Sequence, residues 1–445
     1  MNRLFAAVFA LLTAIQAAAA AATPGTLAIA SLDELAQAAA RNGQKVKMKA
    51  GHYRLRDYIP LESIPARRKE KQWQFLTFSG SGNSFDLTGV TIELDTALRA
   101  ALHAPIHTDE FLVSGGGNTL KGLTITTVGD GKSQGGAMLG VTGVNNTLRD
   151  CTIHVQGSAP YGYGDLFGKG GHKHSGVHIT GSGSRFFGCK VFTRAFGHAF
   201  YLQEDCNDVT FENCHAEGVM RSTNEMLAET TGMAFERKFM SEVLNRSGSR
   251  RIQPDYMKAL SEDGFRTYHT HENLRFINCT VKNMRGGFEL RTRTAPRLEN
   301  CTVTGCERGF WVSDGAVITG CQGDAQFGPL LYVEGDKAKV DVRLLPAEAR
   351  DIKVHAIAAI YGTGSEVTIT GRRARAQPIL VGFTPPAMGE NASTHSERTT
   401  RDLTLHNHTP MPIVIGAKAE GCRIFTKAPV KENNGKDSLV TRLEQ

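Results

Sequence analysis

The chain has 445 residues, of which 40% are hydrophobic, and it carries a formal net charge of +7. That is more than enough chain for a large buried core, and no stretch is long and apolar enough to span a bilayer comfortably, which excludes integral membrane association. The positive charge fits either an acidic partner, such as an anionic polysaccharide, or an ordinary basic surface, and no nucleic-acid partner is expected.

The N-terminal segment has the pattern of a secretory signal peptide. Arg3 precedes an apolar run from Leu4 to Ile15, and an alanine-rich stretch follows up to Ala22. A charged start, a short apolar region and small residues at a cleavage site are typical of such peptides. Residues 1–22 are therefore expected to be removed, and the protein is predicted to be secreted or periplasmic.

A short amphipathic helix is predicted directly before the first strand. Ser31 and Glu34 form a capping box, and the alanine-rich run after them ends near Asn42-Gly43. The alternating segment Lys45–Lys49 then reads as a strand. A helix in this place would cover the open end of a solenoid, where the core would otherwise face water.

A two-strand repeat unit recurs through the middle of the chain. The second predicted strand of each unit begins at a cysteine, namely Cys151, Cys189, Cys214, Cys279, Cys301 and Cys321. The run before it is Met138–Val141, Gly176–Ile179, Phe200–Gln203, Phe265–Tyr268, Phe288–Arg291 and Phe310–Ser313. Such a repeat is the signature of a solenoid, and equivalent cysteines on stacked strands form a buried ladder rather than disulfides. Cys206, Cys306 and Cys422 fall outside this column.

Two of the intervals between successive repeat cysteines are too long for a β-helix rung without an inserted loop. The first holds a glycine- and tyrosine-rich loop over Gln156–His174, and the second holds an insertion between Glu217 and Asp263. The second insertion is expected to contain a helix over Asn224–Asn245 and another near Tyr256–Leu260. Long insertions on a rigid scaffold are where binding and catalysis tend to occur.

The chain resembles the pectin-lyase-like superfamily of single-stranded right-handed parallel β-helices. The N-terminal helix, the Gly51-His52-Tyr53 segment and the repeated Asn/Gly-Cys phrases carry the resemblance. It implies an all-β fold: a right-handed parallel β-helix solenoid over residues 31–425, with an N-terminal capping helix and two long loop insertions. The charged tail, residues 426–445, is expected to be weakly ordered. Members of the superfamily include polysaccharide lyases, glycoside hydrolases, esterases, epimerases and non-catalytic tailspikes, so these motifs predict a fold and not a reaction.

The alternation of the upstream runs predicts which side chains face outward. Phenylalanines point inward, so stacking the rungs gives two outward columns. One is predicted to contain His178, Gln203, Tyr268 and Arg291, and the other Gly176, Tyr201, Arg266, Glu289 and Trp311. Histidine, tyrosine, arginine and tryptophan bind carboxylates, pack on sugars and transfer protons, which favours a functional cleft. The alternative is an ordinary polar face with aromatic packing across rungs.

Residues of the loops and strand ends are expected to extend this face. The residues predicted to bind substrate are His172, Lys173, His198, Tyr201, Gln203, Arg221, Arg266, Glu289, Arg293 and Trp311. Because they combine cations with hydrogen-bonding groups, they fit an acidic, uronate-containing polysaccharide.

Cleavage of a uronate polymer by β-elimination requires a cation on the carboxylate, a base and an acid. Arg291, with Arg266 or Lys173 beside it, is the predicted cation. Tyr268 and a histidine, His178 or His174, are the predicted base and acid, and the arginines are expected to lower the pKa of Tyr268. The sequence therefore predicts an exported polysaccharide lyase.

Three other functions stay open at this point. A glycoside hydrolase would need two facing carboxylates, which Glu289 could supply together with Asp205, Glu204 or Glu217, although the outward columns contain few acids. A uronate epimerase would use related chemistry, and a non-catalytic carbohydrate-binding β-helix is the alternative from a different class. No cofactor is certain: a Ca²⁺ site at Glu204 and Asp205 is one option, and His172 with His174 lacks a third metal ligand. The oligomeric state is undetermined.

Overall fold

The computed structural model describes residues 25–444 except 130–131, 158–160, 168–172, 243–248, 269, 292–294, 325–327, 347–355, 373–375 and 385–395. The described chain forms a parallel β-helix, in which each rung lies beside the one before it. The predicted fold class is confirmed. The predicted signal peptide lies outside the described residues, and no described helix is long and apolar enough to cross a membrane.

One sheet, called the front sheet, takes one strand from each rung, and each strand pairs in parallel with the next. In chain order its strands are Leu76–Phe78, Thr108–Val113, Gly136–Val141, Ser175–Ile179, Phe200–Leu202, Asp263–Thr267, Gly286–Leu290, Arg308–Val312, Leu331–Glu334, Ala358–Thr363, Ile379–Val381, Ile413–Ile415 and Val430–Asn433. These strands include the upstream runs of the repeat.

Two further strand series complete the rungs. The second series comprises Leu27–Ile29, Lys45–Met48, Ser84–Asp86, Thr119–Lys121, Thr147–Arg149, Arg185–Phe187, Thr210–Glu212, Arg275–Ile277 and Arg297–Glu299. The third comprises Gly51–Arg54, Val90–Asp95, Thr124–Val128, Thr152–Gln156, Lys190–Arg194, His215–Glu217, Thr280–Lys282 and Thr302–Thr304. Strand Val317–Gly323 pairs with both series, and Lys339–Leu344, Glu366–Gly371, Thr404–Asn407, Arg423–Thr426 and Leu439–Arg442 continue from it.

Short helices and minor strands occupy the turns. The helices are Leu32–Ala39, Leu55–Tyr58, Leu61–Ser63 (3-10), Ile64–Lys69, Thr96–Leu102, Thr223–Leu227 and Met233–Glu236. The minor strands are Met220–Ser222, Met257–Ala259, Thr400–Arg401 and Ala419–Glu420. Helix Leu32–Ala39 begins at the predicted capping box and buries Leu32, Leu35, Ala38 and Ala39 in the main core.

The recurrent cysteine follows a corner between the second and third series. The residue before it adopts a left-handed conformation, with φ of 54° at Asn213, 52° at Asn278 and 62° at Gly188. Asparagine and glycine tolerate this conformation best, which explains why one of them precedes the cysteine in the repeated Asn/Gly-Cys motif. The cysteines are buried and not joined by disulfides, as predicted.

Two phenylalanine stacks fill the core between the front sheet and the second series. Phe265 stacks on Phe200 and Phe288 at ring distances of 5.0 and 4.9 Å, and Phe211 stacks on Phe276 at 5.1 Å. The two stacks meet edge to face, with Phe211 and Phe265 5.2 Å apart. This packing fixes the inward side of the front sheet. The residue that follows each stacked phenylalanine along its strand therefore faces outward.

The two insertions pack against each other and form a small core of their own. It contains Leu166, Phe167, Met226, Ala234, Ile252 and Leu260. Lys258 anchors it: its Nζ lies 2.7 Å from Asp165 in the first insertion and 3.3 Å from Glu307 at the front sheet. The prediction of a long helix over Asn224–Asn245 is wrong, because two short helices separated by Gly232 (φ 93°) replace it. The helix predicted near Tyr256–Leu260 is also wrong, since strand Met257–Ala259 pairs there with Met220–Ser222.

The predicted weakly ordered tail also needs correction. Within 426–445, strand Val430–Asn433 pairs with Ile413–Ile415, and strand Leu439–Arg442 pairs with Arg423–Thr426. Most residues of these two strands are exposed, so their charged side chains stay in water while the backbone pairs. The β-helix therefore extends past residue 425.

Candidate functional site

The register of the front sheet determines which outward residues are neighbours. One outward column contains Gly140, His178, Tyr201, Arg266, Glu289, Trp311 and Tyr332. The prediction that His178 aligns with Gln203 and Gly176 with Tyr201 is wrong by two residues. Gly176 lies at the start of its strand, where its N–H donates to the carbonyl of His198 at 2.8 Å. His178 consequently stacks on Tyr201, with ring centroids 4.8 Å apart.

A cleft of about 290 Å³ lies over the front sheet and is lined by residues before, within and directly after its strands. It is lined by Ile106, His107, Gln134, Gly135, Gly136, Lys173, Ser175, His198, Tyr201, Gln203, Glu262 and Tyr268. Because these residues come from five consecutive front-sheet strands, the cleft runs across the rungs and along the axis of the β-helix. With strands about 4.8 Å apart, it covers roughly 19 Å.

A hydrogen-bonded pair stands within this cleft. The hydroxyl of Tyr268 lies 2.6 Å from Nε2 of His198, and Tyr268 is 43% exposed whereas His198 is buried. The other nitrogen of His198, Nδ1, lies 3.3 Å from Oδ2 of Asp263, and Nε2 is also 3.3 Å from Oε2 of Glu262. The backbone N–H of Asp263 also donates to Nδ1 at 3.3 Å. Tyr268 is thus hydrogen-bonded to a histidine that lies beside two buried carboxylates, which would stabilise the protonated form of that histidine.

The pKa of Tyr268 is raised, which corrects the prediction that the arginines would lower it. Burial is the largest cause and the charge of Glu262 the next, and together they outweigh Arg266, whose guanidinium lies 4.7 Å from the centre of the tyrosine ring. Tyr268 therefore stays protonated near neutral pH, and a neighbouring base is needed to remove its proton.

Charged side chains form a continuous network beneath and beside the cleft. Lys173 lies 2.8 Å from Oε1 of Glu262, and Arg285 lies 3.2 Å from the same oxygen. Arg285 and Arg308 lie 3.0 and 3.1 Å from the carboxylate of Asp263. Three arginines, Arg266, Arg291 and Arg308, contact the buried carboxylate of Glu289.

Cations outnumber carboxylates in this network. Of its described members, five are lysine or arginine and three are carboxylates, so the network beside the cleft carries an excess of positive charge. Burial would raise the pKa of Glu262 and of Asp263, but the surrounding cations and His198 lower both below their usual values. These two carboxyls are therefore ionised at neutral pH and cannot donate a proton.

Comparison with known proteins supports the fold. Residues 80–240 match the family described as right handed beta helix region. The predicted right-handed β-helix is confirmed. No curated protein matches this sequence.

Among solved structures, the chain is similar to two polysaccharide lyases and a tailspike. A mannuronic acid specific polysaccharide family 6 lyase from human gut microbiota is 11% identical with a TM-score of 0.45, covering 94% of this chain and 91% of its own. A PL6 alginate lyase in complex with a trisaccharide is 11% identical with a TM-score of 0.43, covering 95% and 86%. The tailspike protein gp49 of Pseudomonas phage LKA1 is 12% identical with a TM-score of 0.24, covering 87% and 52%. These similarities are too low to assign an activity to the β-helix.

The β-helix brings some of the predicted site residues into the cleft and leaves others outside. Lys173, His198, Tyr201, Gln203 and Tyr268 line the cleft. Arg266, Glu289, Arg291 and Trp311 lie on the same and the following rungs of the front sheet. His172 and Arg293 lie outside the described residues.

His178 and Arg221 are engaged in contacts outside the cleft lining. Nδ1 of His178 lies 3.0 Å from Asp109, and the ring is mostly covered. Arg221 donates to Glu229 at 2.6 Å and to the carbonyl of Gly162 at 3.0 Å, so it holds the two insertions together. Arg221 thus lies outside the cleft lining, and its part in substrate binding stays a prediction.

His174, a predicted catalytic base or acid, is instead part of a buried cluster. Its Nδ1 lies 2.8 Å from Oγ of Ser133, and its Nε2 lies 3.2 Å from Glu110 and 3.3 Å from Arg99. Burial, followed by Arg99, lowers the pKa of His174, which is 1% exposed. A side chain so enclosed does not line the cleft, and this placement gives no support to the predicted catalytic role of His174. Helix Thr96–Leu102 supplies Arg99 and closes the cluster.

Glu110 should make the stability of the protein depend on pH. Burial would raise its pKa, but Arg99 and His174 lower it to about 2, from an ordinary value of 4.5. Its ionised form therefore stabilises the fold above pH 4.5, by about 3 kcal/mol, and this contribution is lost as pH falls from 4.5 to 2. We expect Glu110→Gln to lower the free energy of unfolding strongly at pH 7 and much less near pH 2. A difference that stays constant over this range in urea unfolding would contradict the assignment.

The described residues give no support to a metal site. Among them, no group of three or more histidine, cysteine, aspartate or glutamate side chains is placed to hold a metal ion. The Ca²⁺ prediction at Glu204 and Asp205 stays untested, as does any site that would involve His172.

Arg285 and Arg308 belong to the site but were not predicted. Together with Asp263 they stand two or three residues before the stacked phenylalanines, and Asp263, Gly286 and Arg308 align in register. The segments Asp263-Gly264-Phe265 and Arg308-Gly309-Phe310 carry the signal that could have found them: a charged residue at the same place in successive rungs.

Proposed function

We propose that this β-helix is an exported polysaccharide lyase that cleaves a uronate-containing polysaccharide by β-elimination. The observation that carries the proposal is the hydroxyl of the partly exposed Tyr268, 2.6 Å from His198, in a cleft beside a network in which cations outnumber carboxylates. Such a cleft favours an anionic polymer, and the pair can exchange a proton with it. Export to the periplasm or medium rests on the N-terminal sequence pattern alone.

Tyr268 is the proposed base. As its oxygen takes the proton from the carbon next to the uronate carboxylate, its own proton passes to Nε2 of His198. Asp263, 3.3 Å from Nδ1, then stabilises the charged histidine. Because the pKa of Tyr268 is raised, the phenol does not lose its proton unaided near pH 7. His198 is the neighbouring base that accepts this proton.

The same tyrosine can complete the reaction. The electrons of the broken C–H bond form the carbon–carbon double bond, and the bond between the ring carbon and the glycosidic oxygen breaks. That oxygen takes a proton from Tyr268, and His198 returns its proton to the tyrosine. The products are an unsaturated uronate end and a new hydroxyl end, so atoms and charges balance.

Lys173 is the proposed cation for the carboxylate of the reacting sugar. Its ammonium group is 2.8 Å from Glu262, its side chain is one-third exposed, and it lines the same cleft as Tyr268. A cation at the carboxylate makes the neighbouring C–H bond more acidic and stabilises the charge that develops in the transition state. Arg291, the cation predicted from the sequence, lies one rung beyond Tyr268 and does not line the cleft.

The carboxylates of the site argue against a glycoside hydrolase. That reaction needs one carboxyl group that stays protonated to serve as an acid. Glu262 has a lowered pKa and pairs with Lys173 and Arg285, and Asp263 is fully buried with a lowered pKa. Glu307, whose pKa is raised by burial, contacts Lys258 beneath the insertions and does not line the cleft.

The test is to incubate the purified protein with a panel of acidic polysaccharides and to follow the ultraviolet absorbance of unsaturated uronate ends. A lyase produces this absorbance together with shorter chains. New reducing ends without the absorbance would contradict the proposal and indicate hydrolysis. An unchanged chain length with altered sugar composition would indicate an epimerase, and binding without any chemical change would indicate a carbohydrate-binding protein.

A further inference from the structure

The cleft is aligned with the axis of the β-helix, and this alignment constrains how a polymer can lie in it. His107 comes from the first of the five lining strands, Lys173 from the third and Tyr268 from the fifth. Tyr268 is thus at one end of the enclosed cleft. A polysaccharide that follows the cleft must leave it over the next rungs of the front sheet, which carry Arg291 and then Trp311.

Arg291 is held in a fixed orientation at this exit. Its guanidinium group donates to Glu289 and lies 4.5 Å from the centre of the Trp311 ring. The side chain is still 39% exposed, so donors not used by Glu289 face solvent. A guanidinium group already fixed by an ion pair and an aromatic ring loses little freedom when it binds a carboxylate.

The surroundings of Arg291 are rich in further positive charge. Arg308 lies 5.4 Å from the centre of the same tryptophan ring, and its Nε and Nη1 atoms are buried without a hydrogen-bond partner among the described residues. Arg266 contacts the same Glu289 carboxylate as Arg291 and Arg308. Because Arg308 also contacts Asp263, the three guanidinium groups face two carboxylates, and a further anion would compensate the remaining charge.

We propose that Arg291 binds the carboxylate of the uronate residue next to the reacting one, on the side of Tyr268 opposite to Lys173. Lys173 precedes the third lining strand, but its ammonium group contacts Glu262, which directly precedes the fifth, and Arg291 follows the strand after that one. The two cationic groups are therefore about one rung apart, and this spacing of about 4.8 Å is close to the length of one sugar residue. This inference rests on the proposed lyase function and assigns Arg291 a role in substrate selection rather than in neutralising the reacting sugar.

The experiment uses a series of defined oligouronates of increasing length and the variant Arg291→Gln. We expect the variant to raise KM about 10- to 100-fold for oligomers long enough to reach residue 291, with kcat nearly unchanged. For the shortest oligomer that is cleaved at all, both constants should match those of the unaltered protein. Arg297→Gln, which removes an exposed arginine on the second strand series, is the control and should change neither constant.

A second measurement does not depend on turnover. In the background of Tyr268→Phe, the affinity for a long oligouronate is compared with and without Arg291→Gln by calorimetry. A 10- to 100-fold loss supports the inference. An equal loss of kcat on short and long oligomers, or unchanged affinity for the long one, would overturn it. Failure of the lyase proposal gives a different result, since the unaltered protein would then cleave none of the oligomers.

Discussion

Tyr268→Phe should lower kcat by roughly 10²- to 10⁴-fold, the range in which positioned acids and bases contribute. The substitution removes the hydroxyl group that lies 2.6 Å from His198 and keeps the ring on which Arg266 packs. Because the exposed ring stays in place, KM should change little and thermal stability should stay within about 0.5 kcal/mol of the unaltered protein. Initial rates on the preferred polyuronate, followed by ultraviolet absorbance, measure the effect.

Tyr53→Phe is the matched control for this prediction. It also removes one tyrosine hydroxyl, which donates to the carbonyl of Lys49 at 2.6 Å, but it lies on the first rungs, away from the cleft. Its kcat should equal that of the unaltered protein. If Tyr268→Phe kept near-normal activity, the proposed base would be wrong, and His198 itself would become the next candidate.

The fold could be predicted from the sequence because its determinants are local and repeated. The left-handed corner before each cysteine requires asparagine, aspartate or glycine, and the stacked phenylalanines recur at matching positions of successive rungs. Period-two alternation then separates inward from outward side chains without further information. The outward placement of Tyr201, Arg266 and Glu289 follows from this alternation.

The register of single strands and the burial of single residues could not be predicted in this way. His178 lies two positions from its predicted place because its strand begins at Ser175 and pairs Val177 with Phe200. His174 is buried because helix Thr96–Leu102 brings Arg99 against it from another rung. Neither contact leaves a periodic signal in the sequence.

Buried charged residues at the starts of the front-sheet strands were missed for a different reason. Asp263 and Arg308 stand two residues before a stacked phenylalanine, where alternation predicts an apolar side chain. Both are buried, and they are tolerated because they pair with each other and with Arg285 and Glu289. Only the three-dimensional contacts reveal this compensation.

Asp263→Asn should have the largest effect on stability. Its carboxylate is fully buried and lies 3.0 Å from Arg285, 3.1 Å from Arg308 and 3.3 Å from Nδ1 of His198. Removing the charge leaves buried cations uncompensated, a change that costs about 3–5 kcal/mol. Thermal or urea unfolding should therefore shift markedly. Asp437→Asn, which removes an exposed carboxylate 3.9 Å from Lys436, should cost no more than about 1 kcal/mol.

The double variant Asp263→Asn/Arg285→Gln distinguishes uncompensated charge from a general disturbance of packing. If the cost of Asp263→Asn arises from Arg285 left without its partner, removing both charges should destabilise the protein less than the sum of the single effects, by about 1–3 kcal/mol. Strictly additive effects would contradict this account. Activity should stay low in the double variant even where stability recovers, because His198 still lacks the carboxylate that stabilises its protonated form. Recovery of stability without recovery of turnover would therefore separate the part Asp263 plays in folding from the part it plays behind Tyr268 and His198.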